Sequence, residues 1–197
     1  MTNCFYAFEG IDGCGKTTLI NALQKRLVEK SFYFTKEPCG TNFNPHIKEL
    51  LCTTILEHDY IAQYLLFAAE RSYHIKTIIN PFLQNNYSVI SDRFFYSSLV
   101  YQGMNVDENF IHFVYENSNH GLIINKIFYC KISSDIALER IKKRNINDTF
   151  DQYYEDKLCL LSSRYDMLFE NNTKVIVLDM IQPLELLVKR VIQEIVY

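Results

Sequence analysis

A glycine-rich turn near the start of the chain constrains the fold more strongly than any other sequence feature. Residues 8–18 read FEGIDGCGKTT and match the pattern GxxxxGK(S/T) without a gap. The apolar run Cys4–Phe8 before the turn is typical of a buried strand, and apolar residues over 19–27 recur at helical spacing. A strand, a glycine-rich turn and a helix in this order are the context of a phosphate-binding loop. The chain is therefore predicted to bind a nucleoside triphosphate.

The phosphate-binding pattern predicts what the residues of this turn do. Glycines allow backbone N–H groups to converge on phosphate oxygens, and the helix N-terminus adds partial positive charge. Lys16 is expected to reach the β- and γ-phosphates, and the Thr17 hydroxyl to bind Mg²⁺. A chance turn with a surface lysine is the alternative, which the flanking strand and helix disfavour. The segment expected to contact the triphosphate comprises Gly10, Asp12, Gly13, Cys14, Gly15, Lys16, Thr17 and Thr18.

The composition excludes several classes of protein. The 197 residues are 48% hydrophobic and 22% charged, which suits a single domain over 1–197. A net charge of −3 without a basic stripe disfavours a nucleic-acid polymer as partner. No apolar run approaches the roughly 20 residues of a membrane span, and the chain enters a strand without a preceding signal peptide. A cytoplasmic protein is therefore expected.

The six cysteines are scattered, and they form neither a CxxC pair nor a zinc-like set with the five histidines. They are interpreted as small buried hydrophobes or free thiols in a reducing compartment. Cys14 lies in the phosphate loop at a helix N-terminus, where a thiol can be acidified. We favour the alternative that Cys14 is a small residue tolerated because its side chain points outward.

Strand-like and helix-like segments alternate along the chain. Five short apolar runs are predicted as strands, at 4–8, 32–35, 88–91, 126–132 and 174–178. Helical periodicity covers 16–29, 46–56, 60–82, 107–117, 135–144, 152–170 and 183–195. Pro81 is the expected end of the third helix, and the polar stretch 144–151 is the candidate for a mobile loop. The alternation predicts an α/β fold with a mainly parallel sheet covered by helices.

Charged residues follow most of the predicted strands, at the sheet edge where ligands bind in open α/β folds. Asp92 comes directly after an apolar run, where a Mg²⁺ ligand can be anchored beside a phosphate loop, and Arg93 follows it. Phosphoryl transfer needs two aligned substrates and positive charge on the migrating group. Candidate cations come from several segments, namely Lys16, Lys36, Arg71, Arg93, Arg140, Lys143 and Arg144.

Together these motifs resemble those of the thymidylate kinases, a family of nucleoside monophosphate kinases, in family order over almost the whole chain. The phosphate loop has the family's embedded Asp-Gly, and TKEPCGT (35–41) resembles TREPGGT. LLFAAERS (65–72) is similar to the family's FxAxR helix, DRFFYSSLVYQG (92–103) to DRYxxSxxAYQG, and LDMIQPLELL (178–187) to IDAxQPLEEV. The resemblance implies the P-loop kinase fold, with a five-stranded parallel sheet, helices on both faces and a short lid at about 142–151.

The resemblance also implies roles on the side of the phosphate acceptor, dTMP. Phe67 would stack on thymine, and Arg71 would hydrogen-bond a thymine carbonyl near the phosphate. Tyr101 would press on C2′ of the sugar and exclude a ribose hydroxyl, and Asp12 would hold the 3′-hydroxyl or adjacent waters. The other implied residues of this site are Arg93 on the phosphate, Ser98 and nearby Ser97 and Gln102 at the base's imide edge, and Glu37 and Pro38 at the monophosphate pocket.

On the donor side the resemblance implies ATP with Mg²⁺. Glu37 and Asp92 would organise the metal shell together with Thr17, and Arg140 and Gln182 would lie near the adenine. The implied catalytic groups are Lys16, Asp92, Arg93 and Arg144.

The chain departs from the family pattern at three positions. Lys36 replaces an arginine, so a bidentate phosphate contact is lost. Cys39 replaces a glycine, which would be unfavourable if the backbone at this position needs a positive φ. Gly13 stands where some members carry a catalytic arginine, so the catalytic cation is expected from the lid. Arg144 is our assignment, with Lys143 and Arg140 as the alternatives.

The sequence therefore predicts an enzyme that catalyses ATP + dTMP ⇌ ADP + dTDP. A deoxynucleoside kinase and a broader pyrimidine monophosphate kinase are alternatives with the same loop. A guanine-nucleotide switch would need Asn-Lys-x-Asp, whereas 125–128 reads NKIF. The resemblance further suggests a homodimer through helices that include 46–56 and 60–80.

Overall fold

A parallel sheet forms the centre of the structure, a computed structural model that describes residues 3–28, 31–38, 40, 59–143 and 156–196. Its strands are β1 Phe5–Glu9, β2 Phe32–Lys36, β3 Ser88–Asp92, β4 Ile124–Lys131 and β5 Val175–Asp179. They lie in the order β2–β3–β1–β4–β5, and each neighbouring pair is parallel. The predicted five-stranded parallel sheet is confirmed.

Helices connect the strands. They are α1 Lys16–Arg26, α2 Tyr60–His74, α3 Asn80–Gln84, α4 Phe95–Tyr101, α5 Glu108–Ser118, α6 Ser134–Lys142, α7 Leu158–Phe169 and α8 Leu184–Val196. A π-helical turn, Ile75–Ile79, joins α2 to α3, and a 3₁₀ turn, Gln102–Met104, follows α4. Across these ranges no helix is both long enough and apolar enough to span a membrane. The predicted helix over 46–56 and the lid beyond residue 143 lie outside the described residues.

Two features of the helices differ from the sequence-based expectation. The helix that should end at Pro81 continues to Gln84, because the π turn shifts the hydrogen bonds to i→i+5 and closes with the Asn80 N–H on the Ile75 carbonyl. Pro81 then lies in the first turn of α3, where a missing N–H is tolerated. The seven-residue α4 is not predicted at all, since most of its side chains are buried and no polar face marks a helical period.

The core surrounds the central strand. All five side chains of β1 are buried, with Phe5, Ala7 and Phe8 fully inaccessible. Because successive side chains of a strand point to opposite faces, this burial means that helices cover both faces of the sheet. All strands run the same way, so the residues at their carboxyl ends meet at one edge, where the candidate site lies.

Candidate active site

The phosphate loop joins β1 to α1 at the carboxyl edge of the sheet. Gly10, Gly13 and Gly15 have φ angles of 148°, 76° and 100°, a region that other residues rarely adopt. Gly13 also packs against α6, and a Cβ at this position would lie 2.3 Å from the Ala137 carbonyl oxygen. The neighbouring helix therefore excludes any side chain, an arginine included, from position 13.

Lys16 is folded back onto its own loop. Its ammonium donates to the carbonyl oxygens of Gly10 at 2.8 Å and Ile11 at 3.0 Å, and the residue is buried. The ammonium can exchange these neutral carbonyl oxygens for the oxygens of a bound anion, because a charged donor forms its strongest hydrogen bonds with an ionised acceptor. Beside it, the Thr17 hydroxyl donates to a carboxylate oxygen of Asp92 at 2.8 Å, so two of the three predicted metal-site residues are neighbours.

The Cys14 side chain points inward, which makes the outward orientation that we favoured from the sequence wrong. The residue is fully buried, and the Lys16 ammonium lies 3.5 Å from its sulfur. Burial by itself would raise the pKa of this thiol, but a hydrogen bond with Cys130 and the charge of Lys16 outweigh burial and lower its pKa. The pKa of Cys130 is raised by the same hydrogen bond and by burial. Strand β4 lies beneath the turn and places Cys130 next to Cys14, and this packing decides the inward orientation of the Cys14 side chain.

Arg93 ties the phosphate loop to α4. Its backbone has a positive φ of 68°, and its guanidinium donates to the Gly10 carbonyl at 3.1 Å, to the Asp12 carboxylate and to Tyr101 Oη at 3.2 Å. Tyr101 in turn donates to the other Asp12 oxygen at 2.8 Å. Burial works against the Asp12 carboxylate, yet the charges of Arg93 and Lys16 and the Tyr101 hydrogen bond hold its pKa below the usual value. Asp12 is therefore ionised beside the cleft.

A second buried arginine connects three elements on the other side of the cleft. Arg71 on α2 donates to Glu37 Oε2 at 2.7 Å and to the Ser98 hydroxyl at 2.7 Å. The other Glu37 oxygen lies 3.1 Å from Nδ1 of His74, which is fully buried. The guanidinium of Arg71 also lies over the Phe94 ring, 5.6 Å from its centroid. Glu37, Ser98 and the Phe94 ring together fix the orientation of the Arg71 guanidinium.

Part of this arrangement lines one cleft at the sheet edge, with a volume of about 130 Å³. The residues that line it are Asp12, Gly13, Gly15, Lys16, Thr17, Lys36, Glu37, Asp92 and Arg93. It holds predicted donor-site and acceptor-site residues side by side. Backbone pairing explains this, since the Glu37 N–H donates to the Asp92 carbonyl and the Arg93 N–H to the Phe8 carbonyl.

The sequence of this chain matches a known family over most of its length. A sequence model described as thymidylate kinase matches residues 8–191. This chain belongs to the thymidylate kinase family. A thymidylate kinase of Ureaplasma parvum is 35% identical over 189 residues, 89% of this chain and 81% of its own length.

Two further thymidylate kinases show the same extent of likeness. That of Prochlorococcus marinus is 36% identical over 183 residues, 87% of this chain and 86% of its own length. That of Malacoplasma penetrans is 33% identical over 201 residues, 95% of this chain and 92% of its own length. The similarity therefore covers most of the length of this chain and of each relative.

Other residues that the thymidylate kinase pattern assigns to the acceptor neighbour Arg71, Glu37 and Tyr101 along the chain. Phe67 is half-buried on α2, one helical turn before Arg71. Pro38 follows Glu37 through a cis peptide bond, and Gln102 begins the turn after α4. Their contacts with a nucleotide stay predictions.

The residues assigned to the donor base lie on the far side of the phosphate loop. Arg140 on α6 donates to the Cys14 carbonyl at 3.1 Å and to the Met180 carbonyl at 3.2 Å, so it joins the loop to the turn after β5. Gln182 is exposed in that turn. Lys143, an alternative lid cation, pairs with Glu139 at 2.5 Å, whereas Arg144 lies outside the described residues.

Two residues of this arrangement are missing from the sequence-based site. Glu9 ends β1 with a fully buried carboxylate, and His74 supports Glu37 from α2. A charged residue that ends an apolar strand directly before the glycine turn is a signal that could have drawn attention to Glu9. For His74 the signal is weaker, namely its position three residues after Arg71 on the same helix face.

Proposed function

We propose that the protein transfers the γ-phosphoryl group of ATP, with Mg²⁺, to dTMP, which yields ADP and dTDP. The observation that carries this proposal is the Arg93 guanidinium, which bridges the phosphate-loop carbonyl of Gly10 and the Asp12–Tyr101 pair on the acceptor side. One cation thus borders both the donor loop and the predicted acceptor pocket. Membership of the thymidylate kinase family supports the same reaction.

The donor half follows from the loop. The backbone N–H groups of the turn and the N-terminus of α1 would hold the phosphates, and Lys16 would exchange its two loop carbonyls for phosphate oxygens. The residues present suit Mg²⁺, since Thr17 and Asp92 place two hard oxygen atoms 2.8 Å apart. When bound, the metal would neutralise charge on the β- and γ-phosphates. Both oxygens of Glu37 are already engaged by Arg71 and His74, so Glu37 would support the metal site without binding the ion directly.

The acceptor half follows from two arginines, the buried Arg71 and the partly buried Arg93. Arg71 and Ser98 present a fixed fork of donors and a hydroxyl, which suits the carbonyl and imide edge of thymine, with Phe67 as stacking face. The Tyr101 ring and Asp12 would border the sugar, and Arg93 would bind the acceptor phosphate. An oxygen of that phosphate then attacks the γ-phosphorus as the bond to the β-phosphate oxygen breaks.

A direct assay tests this function. Purified protein with ATP and Mg²⁺ should phosphorylate dTMP in preference to dUMP, UMP and CMP, and should leave thymidine unphosphorylated. Preference for another monophosphate would favour a broader pyrimidine kinase, and phosphorylation of thymidine a nucleoside kinase. ATP binding without any transfer would favour a nucleotide-dependent switch.

A pair of lysine variants on one helix controls the assay. Lys16→Met should lower kcat by about 10²-fold or more, because it removes charge from the transferred phosphates. Lys25→Met, on the exposed side of the same helix, should behave as the parent protein.

We also propose that the protein is a homodimer in the cytoplasm. Ile61 and Leu65 of α2 are 53% and 43% exposed, which leaves an apolar strip for a second copy. The free thiols of Cys4, Cys14, Cys130 and Cys159 suit a reducing compartment. Sedimentation equilibrium and localisation of a fluorescent fusion would test these two statements.

A further inference from the structure

The last residue of β1 is a glutamate whose carboxylate lies under α4 rather than in the cleft. Glu9 is fully buried and accepts four hydrogen bonds. They come from the Phe94 N–H at 2.9 Å, the Ser97 N–H at 3.3 Å, the Ser97 hydroxyl at 2.6 Å and the Tyr165 hydroxyl at 3.0 Å. A buried carboxylate is retained at such a position only when its oxygens are well satisfied.

Two of these donors are backbone N–H groups at the start of α4, and that of Ser97 also donates to the Phe94 carbonyl at 3.1 Å. Phe94 occupies the N-cap position of this helix and has no side chain that could accept a hydrogen bond. The Glu9 carboxylate, supplied by a different element, takes the place of the usual Ser, Thr or Asp cap. Its negative charge also interacts favourably with the positive end of the helix.

The same cap holds Arg93, which directly precedes the helix with its φ of 68°. A non-glycine residue keeps this conformation only where its surroundings impose it. The Ser97 hydroxyl donates to Glu9 and accepts from Arg93 Nη1 at 3.1 Å, so it links the buried carboxylate to the guanidinium. Glu9 therefore acts on both ends of Arg93, the backbone and the side chain.

We propose that Glu9 is a positioning residue that sets the Arg93 guanidinium and the start of α4 for the acceptor phosphate. It acts through the Phe94 and Ser97 N–H groups and through the Ser97 hydroxyl, without touching substrate itself. This inference rests on the proposed function for its kinetic consequence, but its structural part, the orientation of Arg93, does not.

The kinetic test compares Glu9→Gln and Glu9→Ala with the parent protein. Loss of Arg93 alignment should lower kcat/KM for dTMP by about 10²-fold in Glu9→Ala. Glu9→Gln, which keeps one oxygen acceptor, should show a smaller loss. The KM for ATP should change little, because the phosphate loop has its own hydrogen bonds. A merely structural role would affect both substrates alike.

A cap on another helix provides the matched control. Asp107 caps α5 by accepting from the Phe110 N–H at 3.0 Å, and α5 carries none of the proposed site residues. Asp107→Ala should lower the melting temperature without changing KM for either substrate. Glu9 variants that lower the melting temperature but keep the parent KM and kcat for dTMP would overturn the proposal.

A spectroscopic readout separates this inference from the proposed function. The side-chain Nε–H signal of Arg93 should be dispersed in the parent protein and in Asp107→Ala, and should collapse towards the free-arginine position in Glu9→Ala. If Glu9→Ala does not fold, Ser97→Ala provides the test in its place. This variant removes only the bridging hydroxyl and no buried charge, and it should shift the same Arg93 signal. If the parent protein does not phosphorylate dTMP, the proposed function is wrong, and an Arg93 signal unchanged in these variants independently overturns the positioning role.

Discussion

At the scale of the residue, the site depends on two arginines that are fixed by carboxylates before substrate binds. Arg93 is paired with Asp12, and Arg71 with Glu37. Each arginine keeps its pKa above the usual value, since the charge of its carboxylate partner outweighs the cost of burial. Fixed charges need little reorganisation during phosphoryl transfer, so this arrangement favours catalysis.

The steric limit at Gly13 leads to the first prediction. Gly13→Ala should lower the free energy of unfolding by more than the roughly 1–2 kcal/mol that a left-handed alanine costs, and should weaken ATP binding. The reason is the added contact with the Ala137 carbonyl. Urea denaturation and ATP titration measure the two effects.

Gly121 is the matched control for Gly13. It has a similar φ of 73°, but a Cβ there would meet nothing within 4 Å. Gly121→Ala should therefore show the conformational cost alone, with unchanged ATP binding. Equal losses of stability in the two variants would contradict a clash at Gly13.

The burial of Glu9 makes a second prediction, on pH. Burial raises the pKa of this carboxyl above 4.5, and the hydrogen bonds from Ser97 and Tyr165 with the charge of Arg93 offset only part of the rise. The folded state then binds a proton more readily than the unfolded chain. The free energy of unfolding contributed by Glu9 should therefore fall as pH rises from 4.5 through the folded-state pKa.

Glu9→Gln isolates this contribution, because glutamine does not titrate. Urea denaturation at a series of pH values should show a flatter profile for the variant than for the parent protein over that range. Parallel profiles would mean that Glu9 has the same pKa in the folded and unfolded states.

At the scale of the element, α4 is a short helix held at both ends by other elements. Glu9 from β1 caps its start. Arg164 from α7 donates to the carbonyls of Leu99 and Val100 at 2.9 and 3.1 Å near its end. Negative charge at the start and positive charge at the end both match the helix dipole. These contacts explain how seven residues form a helix that brings Ser98 to Arg71 and Tyr101 to Asp12.

The ion pair between Arg71 and Glu37 connects the turn after β2 with α2, and it carries the third prediction. Arg71→Met should cost about 3–5 kcal/mol of stability, because it leaves the buried Glu37 carboxylate without its main partner. The double variant Arg71→Met with Glu37→Gln should recover most of this loss but not the phosphorylation of dTMP. Denaturation and the dTMP assay separate the two roles.

An exposed pair provides the comparison. Arg26 and Glu185 also lie 2.8 Å apart, but their side chains are 60% and 75% exposed. Arg26→Met should change stability by about 0–1 kcal/mol and leave activity as it was. An Arg71→Met protein as stable as Arg26→Met would contradict the cost assigned to the buried Glu37 carboxylate without its arginine partner.

At the scale of the whole molecule, the cleft joins the ends of β1, β2 and β3 with the start of α1, and we predict that a further cation comes from outside it. The close contact at Gly13 excludes a cationic side chain at that position, and Arg140 is engaged by backbone carbonyls on the far side of the loop. We expect a lid that closes over ATP to supply this cation and to exclude water. The assignment of this role to Arg144 stays a prediction, since the residue lies outside the described ranges.

Arg144→Ala tests that assignment as the fourth prediction. By analogy with arginine fingers, kcat should fall by about 10³–10⁵-fold, with much smaller changes in the binding of ATP and dTMP. Lys142→Ala, an exposed cation near the end of α6, is the control and should keep its turnover. Unchanged kcat in Arg144→Ala would return the role to Lys143 or Arg140.

Local patterns account for what sequence-based reasoning predicted correctly. The phosphate loop is recognisable because its glycines, lysine and threonine are contiguous, and the α/β class because strand and helix periods alternate over short stretches. The prediction of an outward Cys14 was wrong, because the loop's position over Cys130 is a contact between residues far apart in the chain. Likewise, the prediction that the helix ends at Pro81 was wrong. The π turn before Pro81 places this residue in the first turn of α3, where the N–H that proline lacks is not needed.

By itself, the sequence determined the fold class, the family and the identity of the residues that meet at the sheet edge. These follow from spacing along the chain, which local sterics and hydrogen bonding translate directly into strands, turns and helices. Only the tertiary structure decided that Glu9 caps α4, that His74 supports Glu37 and that no side chain fits at Gly13. These depend on which distant elements pack together, because a buried charge or a close backbone contact is stable only with the partner that folding brings to it.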